Sequence, residues 1–382
     1  MDVLEDTAVG ALLGAAVGDA LGGATEGWLP EQIRARYGGP VTGIVPPYFD
    51  QWRDARPIAP YHKGDGHITD DTLMTHALVE VYRRRRDHLD AYAIAEDLVP
   101  LLIGERRWIP ELEADALLLQ RVFLAEKYLV ARLHYGHVDP REAGTGNIVN
   151  CGAAMYQAPV GIANAGDPDR AYAEGIEIAG AHQSSYGREA AGAFAAAVAA
   201  ACTPGATADT VIEACLDRAK DGTRAAIDAV AQQASRFTDW QEAIPALRSA
   251  VEPYDSVGPD YRQPGMDARR PSRTKSIEEL PIALGMVLVA KGDVRQAVLG
   301  GVNYGRDADS IASMAGAVAG ALGGRSAVPV DWAEQVGTAS RLDLEAPGLV
   351  MAEVAREIFD KDARRAGAVA DVRSGLLAVV PA

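Results

Sequence analysis

Three cysteines in 382 residues leave no material for a disulfide framework. Cys151, Cys202 and Cys215 also lack the spacing of a zinc site, and a chain of this kind fits a reducing cytoplasm. Positive charge is short as well: 37 Lys and Arg face 53 Asp and Glu, a net charge of −16. Phosphate backbones are held by clustered Lys and Arg, so nucleic acid is not an expected partner, whereas an acidic chain attracts cations. Asp2, Glu5 and Asp6 stand where a secretory leader carries basic residues. The apolar run behind them is cut by Asp19, so neither a leader nor a membrane span is predicted. Low-complexity tracts, an obvious linker, strand-like alternation and Asn-Gly or Asp-Gly turns between apolar runs are all missing. Nearly every periodic segment has helical spacing. The expectation is therefore one all-α domain over 1–382, with 326–382 as peripheral helices; its oligomeric state is not readable.

Glycine, by contrast, is placed with regularity. Gly10, Gly14, Gly18 and Gly22 recur every four residues, which on a helix makes one groove for a close neighbour. Each interior glycine costs about 1 kcal/mol relative to Ala, so four in register imply a packing requirement. The small-sided run 311–324 is the natural partner. Just before that run stands Gly305-Arg306-Asp307-Ala308-Asp309-Ser310, and a similar corner, Thr69-Asp70-Asp71-Thr72, opens another apolar helix. Either corner alone reads as an ordinary helix cap. Together they offer Asp70, Asp71, Asp307 and Asp309, with hydroxyls beside them, as oxygen ligands for hard cations such as Mg²⁺, Mn²⁺ or Ca²⁺, enough for two ions.

Other stretches carry weaker signals. The irregular region 38–67 holds Tyr48, Phe49, Trp52 and His62, readable as a stacking wall for a flat ring or as surface packing. Gly144-Thr145-Gly146-Asn147 leads to Asn150-Cys151-Gly152, where glycine turns let backbone N–H groups converge on an anion. His182 precedes a helix and reads more readily as a hydrogen-bonded structural residue than as a catalyst. A second polar loop, 252–274, is locally basic: Arg262, Arg269, Arg270 and Arg273 are able to clamp a phosphate, although a solvated or subunit-contact loop is the default. Arg83 to Arg86 complement the end of their helix.

The ordered set Gly18-Asp19-Ala20-Leu21-Gly22 with Glu26, Thr69 to Thr72, Asn150 to Met155 with Ala158-Pro159-Val160-Gly161, His182, and Gly305 to Ser310 resembles the ADP-ribosylglycohydrolase family. This family includes dinitrogenase-reductase-activating glycohydrolase and the ADP-ribosyl-arginine and ADP-ribosyl-serine hydrolases. The resemblance implies an orthogonal multi-helix bundle with a binuclear Mg²⁺ or Mn²⁺ centre held by Thr69, Asp70, Asp71, Asp307, Asp309 and Ser310. It implies a glycohydrolase cleaving the ribosyl bond of an ADP-ribosylated protein or small molecule. Glu26, Asp71 and Asp309 are then the catalytic candidates. Gly144, Gly146, Asn147, Asn150, Gly152, Met155, Tyr156, His182, Tyr186 and Arg306 are the substrate-binding ones. Where the family often has Gly-Gly-Asp-Thr-Asp-Thr and Met-Arg, this chain has Arg306, Ala308 and Tyr156. Those departures favour, as a second reading, a smaller N-ribosyl substrate such as a nucleoside or nucleotide. An intermediate of specialised metabolism belongs to the same second reading, and a non-catalytic relative that binds ADP-ribose or serves structurally is the third.

Overall fold

A computed structural model describes residues 2–54, 62–254 and 276–378. The elements that position the site are α1 (Val3–Gly22), α2 (Pro30–Tyr37), α3 (Asp70–Arg85), the hairpin β1 (Arg106–Ile109) and β2 (Ala114–Leu117), α4 (Leu124–Val130), α5 (Pro168–Gly180), α6 (Ser185–Ala201), α7 (Val294–Tyr304), α8 (Ala308–Gly323) and α9 (Ala346–Leu376). Further helices at Ala208–Arg218, Asp221–Ala234, Trp240–Val251, Ser276–Val289 and Val330–Ser340 complete an all-α architecture. None of the described helices is long and apolar enough to cross a membrane.

The glycine groove is filled by the predicted partner. A Cβ built on Gly10, Gly14, Gly18 or Gly22 would overlap the carbonyl oxygen of Gly320, Gly316, Ala312 or Ala308 in turn. The rising numbers of α1 meet falling numbers of α8, so the two helices are antiparallel with backbones in contact. Gly316 and Gly320 are equally committed, since a Cβ on either would strike Gly14 or Gly10. This packing offsets the glycine cost and sets the C-terminal end of α1 beside the N-terminal end of α8.

The turn into α8 is fastened to the chain that leaves α1. Gly305 has φ +72°, and a Cβ there would run into the Trp28 carbonyl. Arg306 N–H donates to the Trp28 oxygen at 2.7 Å, Gly27 N–H donates to the Arg306 oxygen at 2.6 Å, and the Thr25 hydroxyl donates to the Val302 oxygen at 2.8 Å. Glu26 is therefore locked to the Asp307–Ser310 corner from the far end of the sequence.

The hairpin departs from the expected absence of strands. Its four-residue strands pair antiparallel with Arg106 opposite Leu117, and their burial does not alternate, so there was no period of two to read. The aromatics of 38–54 resolve toward packing: Trp28 and Tyr48 stack with centroids 3.5 Å apart, and Phe49 meets Trp28 edge-on. Arg86 ties the end of α3 to α9 through Glu353 and Glu357. Arg262, Arg269, Arg270 and Arg273 lie outside the described residues.

Candidate active site

Both Asp corners start helices, but only one behaves as a cap. Thr69 Oγ1 accepts the Asp71 N–H at 3.3 Å, as an N-cap should. Asp307 occupies the N-cap position of α8 without any side-chain capping bond. Its carboxylate instead accepts a bond from the Cys151 thiol at 3.2 Å, and Cys151 Sγ also lies 3.1 Å from the Ser310 hydroxyl. Burial, followed by Asp307, Glu279 and Asp71, pushes the Cys151 thiol well up, so it stays a neutral donor.

Asp19 organises the other corner. Fully buried at the end of α1, it accepts the Thr69 N–H at 3.0 Å, the Thr69 hydroxyl at 2.6 Å, the Thr72 N–H at 3.1 Å and the Thr72 hydroxyl. Burial pushes this carboxyl up, and those donors pull it back. With both oxygens engaged, Asp19 positions Thr69 to Thr72 and has little capacity left for a ligand.

Asp71 and Asp309 are less satisfied. Oxygens of Asp19, Asp71 and Asp309 lie within 4.8 Å of one another, all buried. Asp71 Oδ1 has no hydrogen-bond partner. Burial first, then Asp19, Asp70 and Asp307, pushes the Asp71 carboxyl well above the usual range. Asp309 is pushed the same way by burial and then by Glu26, Asp71, Asp307 and Asp19. Crowded buried carboxylates of this kind are held ionised by a cation. Two further groups reach the same spacing, Glu26 with His62 and Asp309, and Cys151 with Glu279 and Asp307. The largely oxygen donor set suits a hard divalent cation, and the orphaned Asp71 oxygen fits a ligand role.

A chain of alternating charge flanks this cluster. His62, 4% exposed, sits between Glu111 at 3.0 Å through Nδ1 and Glu26 through Nε2. Burial works to lower its pKa, but Glu111 and Glu26 prevail and hold the ring up at about 10, an imidazolium. Glu111, pushed up by burial, is drawn down to about 2 by Arg121 and His62. Arg121, 1% exposed, pairs with Glu111 at 2.5 Å and Asp70 at 2.8 Å. Burial raises Asp70 to about 6 against the pull of Arg121.

These groups line a pit of about 40 Å³. A water needs roughly 10–15 Å³ of such space, so the pit has room for a few water-sized or ionic groups. A groove of about 1160 Å³ lies elsewhere, among Asp6, Arg325, Arg341 and Glu345. None of those charged residues is buried and none belongs to an ion-holding group among the described residues, which makes the pit the candidate site.

Of the residues picked from sequence, the pit brings together Glu26, Asp70, Asp71, Asp307, Asp309 and Ser310, with Asn150, Gly152 and Met155 beside them. Thr69 lies just beneath, its hydroxyl 3.3 Å from Asp309. The remaining substrate-binding candidates do not line the pit. Asn147 Nδ2 is spent on the Ala125 and His182 carbonyls. Gly144 packs on the Gln183 backbone, Gly146 (φ +86°) on the Tyr128 hydroxyl, and Tyr186 sits over Gly222. Tyr156 and His182 are fully buried behind the wall, 3.0 Å apart through the hydroxyl and Nδ1. Arg306 is buried and paired with Glu278 at 2.9 Å because its backbone, at φ +58°, turns it away from the pit. The structure adds His62, Arg121, Phe123 and Glu126 to the wall, with Asp19 and Glu111 behind.

A profile of the ADP-ribosylglycohydrolase family matches residues 1–367. The chain belongs to the ADP-ribosylglycohydrolase family. Among its relatives is the uncharacterized protein YegU of Escherichia coli, 25% identical over 345 residues that cover 88% of this chain and 93% of that protein. An uncharacterized protein of Archaeoglobus fulgidus is 29% identical over 85% of this chain and 89% of its own length. The ADP-ribosylarginine hydrolase Tri1 of Pseudomonas putida is 26% identical over 93% of this chain and 78% of its own length. A solved chain titled ADP-ribosylglycohydrolase-related protein complex superposes with TM-score 0.59 at 21% identity, covering 93% of this chain and all of that one, which establishes an ADP-ribosylglycohydrolase fold. Within this family fold the two Asp corners occupy one pit.

Proposed function

We propose that the protein is a divalent-metal-dependent glycohydrolase that cleaves the ribosyl bond of an ADP-ribosyl conjugate. The observation that carries this reading is the buried carboxylate group of Asp19, Asp71 and Asp309 within 4.8 Å, one of whose oxygens lacks any partner. Asp71, Asp309, Asp307 and Asp70, with the Thr69 and Ser310 hydroxyls, are the residues that would hold Mg²⁺ or Mn²⁺. Such an ion, when bound, orients ribose hydroxyls and lowers the pKa of water. Glycosidic cleavage further needs protonation of the leaving group. Glu26 is suited to that side of the bond because its carboxylate is hydrogen-bonded to His62 Nε2, a ring held protonated, against the effect of burial, by Glu111 and Glu26. Water is kept scarce by the pit's small volume.

The second reading, a hydrolase of a smaller N-ribosyl compound, is favoured by Arg121. This arginine lines the pit but is committed to Asp70 and Glu111, which leaves it unavailable to a pyrophosphate. The two readings separate when ADP-ribosyl-arginine, ADP-ribosyl-serine and ribonucleosides are offered with Mg²⁺ or Mn²⁺. Release of ADP-ribose from either conjugate supports the first; turnover of nucleosides alone establishes the second; no turnover of any of them removes both.

A further inference from the structure

Two carboxylates that line the pit, Asp70 and Glu126, belong to no trio close enough to share a cation, and Asp70 is taken up by Arg121. Glu126, on α4, is 1% exposed, lines the pit, and is absent from each trio close enough to share a cation among the described residues. Its two oxygens differ. Oε1 lies 3.3 Å from His182 Nε2, whereas Oε2 is buried without a hydrogen-bond partner. An unsatisfied buried oxygen in a native fold calls for an explanation.

Tyr156 and His182 stand behind Glu126. The buried Tyr156 hydroxyl has His182 Nδ1 at 3.0 Å. His182 Nε2 in turn lies against Glu126 Oε1, at a distance of 3.3 Å but without a hydrogen bond of its own. Asn147 Nδ2 donates to the His182 carbonyl at 2.7 Å and keeps the ring's backbone in place. A Cβ on Gly152 would come within 2.9 Å of Glu126 Oε1 and of Asn150 Oδ1, so glycine is what lets this carboxylate approach the wall. Tyr156, His182 and Asn147, none of which touches the pit, thus converge on orienting one carboxylate whose other oxygen is left for something that enters.

We propose that Glu126 is the general base of the hydrolysis, with Tyr156 and His182 as its positioning residues. The inference rests on the glycohydrolase reading above. In the step, an O–H bond of the attacking water breaks and its proton passes to Glu126 Oε2 as the water oxygen bonds to the ribose anomeric carbon. The bond from that carbon to the leaving nitrogen or oxygen breaks, its electron pair stays with the leaving group, and that group takes up a proton from the Glu26–His62 side. Glu126 then gives its proton to solvent, and the Glu26–His62 pair takes one back from solvent, so both groups return to their starting state. The sum is one water consumed and one ribosyl bond cleaved. With Glu126 as the base, Asp71 and Asp309 can both remain ligands.

The test uses the full chain loaded with Mn²⁺ and assayed on ADP-ribosyl-arginine and ADP-ribosyl-serine. Glu126→Gln keeps shape and polarity. Its kcat is expected to fall by roughly 10²–10⁴, the usual worth of general acid–base catalysis, with KM and calorimetric Mn²⁺ affinity unchanged. Formate should restore part of the kcat of Glu126→Ala by occupying the vacated carboxylate space, an outcome that a structural role does not produce. His182→Ala should lower kcat less than Glu126→Gln does. A Glu126→Gln enzyme with kcat near that of the wild type overturns the assignment while the glycohydrolase reading stands. So does a loss of activity that tracks lost Mn²⁺ binding. If the wild type releases ADP-ribose from neither conjugate, the glycohydrolase reading falls and the role of Glu126 falls with it.

Discussion

Helix α3 begins in one buried polar cluster and ends beside another, and the two are built on opposite terms. At its far end, Glu174 of α5 accepts from the Tyr82 hydroxyl at 2.7 Å and Leu89 N–H at 2.8 Å on one oxygen, and from His88 Nδ1 at 2.6 Å and Asn164 Nδ2 at 2.8 Å on the other. Each Glu174 oxygen thus has two donors, and His88 Nε2 reaches Asp362 of α9 at 2.9 Å. At the near end, Asp71 and Asp309 face other carboxylates, and one oxygen is orphaned. Buried polar groups without partners cost free energy. A buried carboxylate whose oxygens are all met by donors, like Glu174, therefore stabilises a fold, while carboxylates that face one another with an oxygen unmet, like Asp71, suit a ligand.

Removing one member of each cluster should separate the two roles. Asp309→Asn is expected to abolish Mn²⁺ binding and lower kcat by about 10³ or more. The metal-free protein should be no less stable to urea, because a repelling charge has gone. Glu174→Ala should do the reverse, costing about 3 kcal/mol or more in urea unfolding by stranding buried donors, with Mn²⁺ affinity retained. Were both variants to lose stability alike, the contrast between the clusters would be broken.

A bound cation should close the open cluster. At a hundredfold excess over its Kd, Mn²⁺ adds about 2.7 kcal/mol to stability, read as a rise in Tm that EDTA reverses and that Asp71→Asn lacks. The closed cluster should show a smaller, pH-dependent effect. Burial works to lower the His88 pKa, but Glu174 and Asp362 outweigh it and hold it above 6.5. His88 therefore contributes stability that is full below pH 6.5, its unfolded value, and is lost as pH rises through the raised folded value. Thermal scans from pH 6 upward should show this decline in the wild type and flatten it in His88→Gln; an unchanged slope would detach His88 from the lock.

How much of this was legible in sequence follows from where each signal is encoded. Gly10 to Gly22 and the Asp corners are local patterns, since helical spacing and helix starts are fixed within a few residues. They predicted both the α1–α8 contact and the residues that share the pit. His62, Arg121 and Glu126 carry no periodic mark, because their burial is imposed by chain segments distant in sequence. Tyr156 and Arg306 were picked as substrate contacts for their chemistry and their place in a motif. Each proves to be buried with a partner of its own, His182 for one and Glu278 for the other. Spacing locates a residue near a site; whether its side chain enters depends on backbone turns such as the positive φ of Arg306. The hairpin escaped because Arg106 to Ile109 and Ala114 to Leu117 expose no alternating face.

The most direct test of the account is calorimetric titration of Mn²⁺ into EDTA-treated wild-type protein and into Asp71→Asn. The account predicts saturable binding of at least one ion to the wild type and none to the variant at the same concentrations. Absence of binding to the wild type, or equal binding to both, would contradict it.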